Sequence, residues 1–355
     1  MADHDEIDIP PLTPSRERLL TMLTYKRPHG SKHERKFINR FIRPSGAQPD
    51  SFGNYIKIVK DKHGDDPRVL FSSHTDSVHR VSGRQRLCYL DATRTRVGLL
   101  DDKNSNCLGA DCAAGVWLML EMIRNKVPGV YVFHRQEETG GYGSQQLVAS
   151  KPAFLDHVDV AIAFDRRGHG SVITHQFGTR CCSDAFGNSL RQQLGPYVGA
   201  TILDDGGTFT DTANYTNVIA ECTNVSIGFN QEHTKFETLD LDYADKMLHA
   251  MLNFKANELI VKRYPGEYEE ADYMRGGFYG GRYSTSGRDY GSGVVDYDDL
   301  PWQSSYANTK NSSQWSQMVS MCRSYPESVA DFLESYGFTP NDLLDFVEPG
   351  RRDAA

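Results

Sequence analysis

The sequence predicts an α/β protein: a three-layer α/β/α sandwich around a mixed central sheet, followed by a disordered tether and a small C-terminal helical segment. Two observations predict it. Along residues 12–263, apolar runs of strand length alternate with segments of helical period, which requires a sheet covered on both faces. After Arg263 the composition breaks: residues 264–313 are dominated by Gly, Tyr, Ser, Asp and Arg, including Gly276-Gly277-Phe278-Tyr279-Gly280-Gly281, and lack the aliphatic residues that would offset the entropy of ordering.

The elements follow in order. Thr13 before Pro14 is an N-cap and first-turn pair, and Leu19, Leu20 and Leu23 share one side of the helix it opens. A second helix is expected over Lys32 to Ile42. The period then changes to that of strands at Asn54–Val59 and Arg68–Ser72. Ala114–Arg124 predicts a buried helix, and Gly129–His134 and Val158–Phe164 predict further strands. Residues 12–263 thus form the expected main domain, with residues 1–11 a disordered, Asp-rich N-terminus. Beyond the tether, Gln314–Arg323, Glu327–Ser335 and Asn341–Val347 have short helical patterns, the last after the pair Thr339-Pro340. This helical segment, residues 314–350, is either a patch folded back on the core or a docking site for a protein partner.

Composition narrows the function classes. The net charge of −8 opposes general affinity for nucleic acid, which needs clustered Lys and Arg. The basic run Arg27 to Arg43 is broken by apolar positions and reads as the solvated face of a helix. The longest dense apolar stretch, Val116 to Ile123, is interrupted by Glu121 and falls short of the roughly 20 residues a membrane span needs. The N-terminus has neither the basic start nor the apolar run of a secretory signal, so the default location is cytoplasmic. Seven cysteines without a CxxC pair are expected to be mostly reduced thiols. Adjacent Cys181 and Cys182 would point to opposite faces of a strand, one buried and one half-buried.

Five short segments, each ending a strand pattern or opening a loop, carry candidate chemistry. In Ser73-His74-Thr75-Asp76, a neutral imidazole is a good zinc ligand and a nearby acid can accept its other N–H. In Gly109-Ala110-Asp111-Cys112-Ala113-Ala114-Gly115, small residues lead into the apolar helix with Asp111 at its entrance, where an aspartate could equally serve as a cap. The strand pattern ending at His134 runs into Glu137-Glu138. Two adjacent carboxylates raise each other's pKa unless a cation separates their roles, one binding metal and the other taking a proton. Ala161-Ile162-Ala163-Phe164 delivers Asp165 at a strand end, and Ser226 to Thr234 contains a second imidazole, His233.

In this order, His74-x-Asp76, Asp111 in a Gly/Ala-rich helix entrance, Glu137-Glu138, Asp165 and His233 resemble the cocatalytic zinc aminopeptidases and their metallocarboxypeptidase and amidohydrolase relatives. The resemblance spans about Thr13 to Lys262. It implies two divalent metal ions, most simply Zn2+ with Mn2+ or Co2+ also accommodated. One would be held by His74 and Asp165, the other by Glu138 and His233, with Asp111 bridging. Glu137 corresponds to the general base that takes a proton from the attacking water and passes it to the leaving amine, and Asp76 to the group that orients His74. Paired ions about 3.5 to 4 Å apart activate a water and polarise the scissile carbonyl together.

Within this superfamily the carboxypeptidase and deacylase branch usually inserts a lid domain of about a hundred residues, a domain in its own right by size, between the last two ligands. Only 67 residues separate Asp165 from His233 here, which favours the single-domain aminopeptidase branch. The long interval between Asp76 and Asp111 departs from the usual form, and Leu87, Tyr89 and Val97 to Leu100 suggest an added hairpin that narrows the cleft. Thr210-Asp211-Thr212 is either a self-satisfied loop or a wall of the substrate pocket, and His175 and Arg180 are weaker candidates for substrate contact. The expected function is metal-dependent exopeptidase action on short peptides. The alternatives are an N-acyl amino acid amidohydrolase or carboxypeptidase of the same superfamily and a non-catalytic binding protein on the same scaffold. The oligomeric state is left open.

Overall fold

The computed structural model describes residues 12–100 and 103–266. The N-terminus expected over residues 1–11, all but the first three residues of the tether, and the helical segment over 314–350 lie outside the described residues.

Helix α1 (Pro14–Leu23) starts as expected, with the Thr13 hydroxyl accepting the Arg16 N–H. It is followed by β1 (Tyr25–Lys26), α2 (Lys32–Phe37), β2 (Gln48–Pro49), β3 (Tyr55–Val59) and β4 (Val69–His74). The helix expected to Ile42 leaves α geometry after Phe37 and widens into a π turn over Ile38–Ile42, just ahead of Pro44, which lacks the N–H to continue a helix. Next come β5 (Gly83–Arg84), β6 (Leu87–Tyr89), β7 (Arg96–Leu99), α3 (Ala110–Arg124), β8 (Gly129–His134) and α4 (Tyr142–Ser150). The chain continues through β9 (Val160–Arg166), β10 (Ser171–Ile173), β11 (His175–Gln176), β12 (Thr179–Arg180), α5 (Asp184–Val198) and β13 (Ile202–Asp204). It closes with β14 (Glu221–Ser226), β15 (Phe229–Asn230), β16 (Thr238–Asp240) and α6 (Leu241–Leu252).

Eight strands form the main sheet in the order β13-β10-β14-β9-β4-β8-β3-β2. Its centre, β14-β9-β4-β8, is parallel, whereas β3 joins β8 and β10 joins β14 antiparallel. Side-chain alternation along the central strands builds two cores. Val69, Phe71, Tyr131, Phe133, Ile162 and Phe164 face α1, α3, α5 and α6, while Leu70, Val130, Val132 and Ala161 face Leu147 of α4 and Tyr215 of a short 3-10 helix, Asp211–Tyr215. These opposed cores make the three layers.

Gly115 sets how closely α3 approaches the sheet. A Cβ there would lie 2.2 Å from the Phe164 carbonyl oxygen and 2.4 Å from Ser73 Oγ, so only glycine lets the start of α3 rest on β4 and β9. A second, four-stranded sheet, β15-β16-β7-β6, stands beside the first and contains the expected added hairpin as β6 and β7.

Two expectations are corrected. Arg27, read as part of a solvated helical face, is fully buried and precedes α2, because backbone carbonyls and an aromatic ring supply a buried site for its guanidinium. Cys181 and Cys182 are both buried and follow β12 instead of alternating within it; they turn their thiols toward the same Ile173 carbonyl. The cysteines among the described residues are free.

Candidate metal centre

Three adjacent parallel strands present chemistry at their C-terminal ends, where ligands gather in open α/β sheets. Strand β4 ends at His74, β9 carries Asp165 as its penultimate residue, and β8 leads through Arg135 and Gln136 to Glu137 and Glu138. Asp111 arrives from the non-helical first turn of α3, held close by the Gly115 contact, and the β15–β16 hairpin presents His233 from the opposite side.

These groups converge. His74 Nε2 lies 3.0 Å from Asp111 Oδ1, 3.3 Å from Asp165 Oδ1 and 3.9 Å from Glu137 Oε2. The other Asp111 oxygen, Oδ2, lies 3.1 Å from His233 Nε2, which is 3.2 Å from Glu138 Oε2. Asp111 thus faces one imidazole with each carboxylate oxygen. Two donor groups able to hold a metal ion emerge, His74-Asp111-Cys112-Asp165 and Asp111-Glu138-His233, with Asp111 common to both. Cys112, not singled out by the sequence, reaches the first group, but its thiol donates to the Phe164 carbonyl at 3.1 Å and burial pushes its pKa well up.

The electrostatics are those of a site built for cations. Burial raises the Glu137 carboxyl well above its ordinary range; Asp165, Glu138 and Asp211 push the same way, and His74 opposes. Burial, then Asp111, raises both Glu138 and Asp165. For Asp111, burial acts upward but is outweighed by hydrogen bonds with His233 and His74, which hold it well below the usual carboxylate range. Burial acts downward on His233, yet Asp111 and Glu138 push it up to about 12. Glu138 Oε1, Asp165 Oδ1 and His74 Nδ1 are buried without a hydrogen-bond partner. Orphaned acceptors among crowded acids and imidazoles fit divalent cations, and the O and N donor set suits zinc, manganese or cobalt.

A surrounding layer fixes these groups. Asp76 is fully buried, with Oδ1 3.6 Å from His74 Nδ1, and its two oxygens accept the backbone N–H groups of Glu137 and Glu138 at 3.2 and 3.3 Å. It therefore sets the path of the glutamate loop as well as facing the imidazole. Thr210 donates its hydroxyl to Asp165 Oδ2 at 2.7 Å, and Asn224 Oδ1 accepts the Asp165 N–H at 2.9 Å. Glu237 accepts the N–H groups of Gly109 and Asp111 at 2.8 and 3.1 Å, and burial, then Asp111, raises it to about 8. Glu237 and Asn224 had no motif to reveal them, since they act on the backbone of residues far away in sequence. His175 is buried with Nδ1 against the Thr174 hydroxyl, and Arg180 donates to Asp184.

Residues 54–254, more than half of the chain, match the model of peptidase family M28. None of the curated proteins matches the sequence. Among solved structures, the chain is similar to aminopeptidase PepT from Bacillus cereus, with a TM-score of 0.56 and 12% identity over 67% of this chain and 96% of that one. A tripeptidase from Staphylococcus aureus gives a TM-score of 0.56 at 13% identity, covering 67% and 96%. The TET1 peptidase of Pyrococcus horikoshii gives 0.51 at 15%, covering 67% and 99%.

Proposed function

Because the chain belongs to peptidase family M28, we propose that it is a metal-dependent aminopeptidase that hydrolyses short peptides with a pair of divalent ions, most simply zinc. The observation that carries this reading is Asp111, whose two oxygens face His74 and His233 at 3.0 and 3.1 Å and which joins both donor groups. His74 and Asp165 would hold one ion, Glu138 and His233 the other, and Asp111 both. When bound, such ions polarise a scissile carbonyl and lower the pKa of a water to near neutrality.

The chain's own residues supply the rest. Glu137, 3.9 Å from His74 and with the proton affinity of its carboxylate raised by burial, is the group to take a proton from the attacking water and hand it to the departing amine. Asp76 keeps that base in place by holding its backbone N–H, and faces His74 Nδ1 so that Nε2 is left for coordination. Thr210 turns Asp165 by one of its oxygens and leaves the other, Oδ1, toward His74. The similarity in fold to an aminopeptidase and a tripeptidase supports short peptides as the substrate class.

The test is elemental analysis of native protein, Glu137→Gln and Asp111→Ala, each assayed on aminoacyl amides beside N-acyl amino acids and carboxy-terminal substrates. About two ions per chain and cleavage of the free-amine substrates are expected. Glu137→Gln should keep its metal and lose roughly 10²–10⁴ in kcat, and Asp111→Ala should lose metal. Preference for the N-acyl substrates would move the reading to the amidohydrolase branch, and absence of both metal and hydrolysis would leave only a binding scaffold. Among the described residues no helix is long and apolar enough to cross a membrane.

A further inference from the structure

Arg27 precedes the span that matches the family model. It sits between β1 and α2, with its guanidinium wholly withdrawn from solvent. Its Nη1 donates to the Thr75 carbonyl at 2.9 Å and its Nη2 to the Gly109 carbonyl at 2.8 Å, and the group lies 4.5 Å over the centre of the Phe37 ring. Among the described residues no carboxylate oxygen lies within ion-pair distance of it. A buried arginine spent on two backbone carbonyls calls for a reason, because desolvating a guanidinium is costly.

The two carbonyls identify the reason. Thr75 is the residue between His74 and Asp76, and Gly109 lies two residues before Asp111, at a left-handed φ of +71°. The fork of one rigid, planar group therefore spans the loop carrying the first imidazole and the loop carrying the shared carboxylate. Each loop is also gripped from another side. Glu34 accepts the Thr75 hydroxyl at 2.8 Å, its helix capped by Ser31, and Glu237 accepts the Gly109 and Asp111 N–H groups. Gly109 has its oxygen on Arg27 and its nitrogen on Glu237, so its position is determined from both directions.

We infer that Arg27 is a positioning residue for the metal pair: its bidentate grip fixes the spacing of the His74 and Asp111 loops, and so lets one carboxylate serve two ions. This rests on the two-ion reading given above. Lysine keeps the charge but lacks the rigid planar fork that sets the distance between the two carbonyls, so the cost falls on binding of the second ion more than on folding.

The test titrates cobalt(II) into metal-stripped native protein, Arg27→Lys and Arg27→Gln, following visible absorption and the rise in Tm on loading. Native protein should take two ions, and both variants should bind the second ion 10- to 100-fold more weakly, with a smaller metal-induced rise in Tm. Added guanidinium, but not ammonium, should restore second-ion affinity to Arg27→Ala. Equal stepwise affinities in native protein and Arg27→Lys would overturn the inference, as would failure of both Arg27→Lys and Arg27→Gln to fold, which would make the residue one of global stability. Native protein that takes no ion would defeat the two-ion reading itself, an outcome visible without any variant.

Discussion

Asp211 separates burial from catalysis at the level of a single side chain. It is buried at the first position of the 3-10 helix Asp211–Tyr215 with Oδ1 unpartnered, and burial raises it from 3.8 to about 8, the nearby Ser144 opposing. Between those values the folded protein keeps a proton that the unfolded chain has lost, so stability falls as pH rises through the window. Asp211→Asn should therefore flatten the decline in Tm of metal-free protein between 3.8 and about 8. The flattening is partial, because Glu237, raised to about 8, adds a slope of the same sign. An unchanged pH profile would mean that Asp211 is not neutral in the fold. Thr210 makes a second case: Thr210→Val keeps the shape but removes the 2.7 Å hydrogen bond to Asp165, and metal affinity should drop about 10- to 100-fold by competition with a chelator. His74, Glu137, Glu138 and Asp165 were legible in the sequence because each follows an apolar strand pattern, which marks where a strand ends and hence where its polar successor emerges. Glu237, Asn224 and Arg27 were not. They bind backbone atoms of residues distant along the chain, and no spacing rule encodes such a partner.

At the level of elements, the sequence announced the strands through period and the cap of α1 through Thr13-Pro14, but it did not reveal what the hairpin between Asp76 and Asp111 pairs with. Its strand β7 pairs with β16, Leu239 against Val97 and Asp240 against Arg96, and β16 follows directly on the loop that carries His233 and Glu237. The hairpin thus completes the sheet from which His233 projects. That support depends on a pairing between segments more than a hundred residues apart, which no local pattern encodes. Replacing β6 and β7 by a short turn should leave the His74–Asp165 group intact and loosen the Glu138–His233 group. Metal analysis of the trimmed protein is then expected to give about one tightly held ion instead of two, whereas two ions with native affinity would show that β15 and β16 hold their own geometry.

For the molecule as a whole, the donor groups come from the ends of β4, β8 and β9, the start of α3 and the β15–β16 hairpin, so bound ions would tie together segments that the sheet alone leaves as separate loops. Any ligand that binds only the folded state stabilises it by RT ln(1 + [L]/Kd), about 4 kcal/mol at a thousandfold excess over Kd. Stripping the metal should lower Tm correspondingly, but the loss should be distributed unevenly. Leu70, Phe71, Val132 and Ile162 lie at the centre of the sheet, buried between two cores, and owe their order to packing that the ions do not touch. The loops holding Thr75, Gly109, Glu138 and His233 carry like-charged carboxylates and an unpartnered buried Glu138 oxygen that a bound cation would satisfy. Hydrogen exchange on stripped and reloaded protein is expected to show protection regained on loading at residues 75–79, 109–112, 137–141 and 231–237, with the central strands unchanged. Uniform gain across the sheet would instead mean that metal binding is coupled to folding of the entire body, and that the sheet cannot hold its strand ends in register without it.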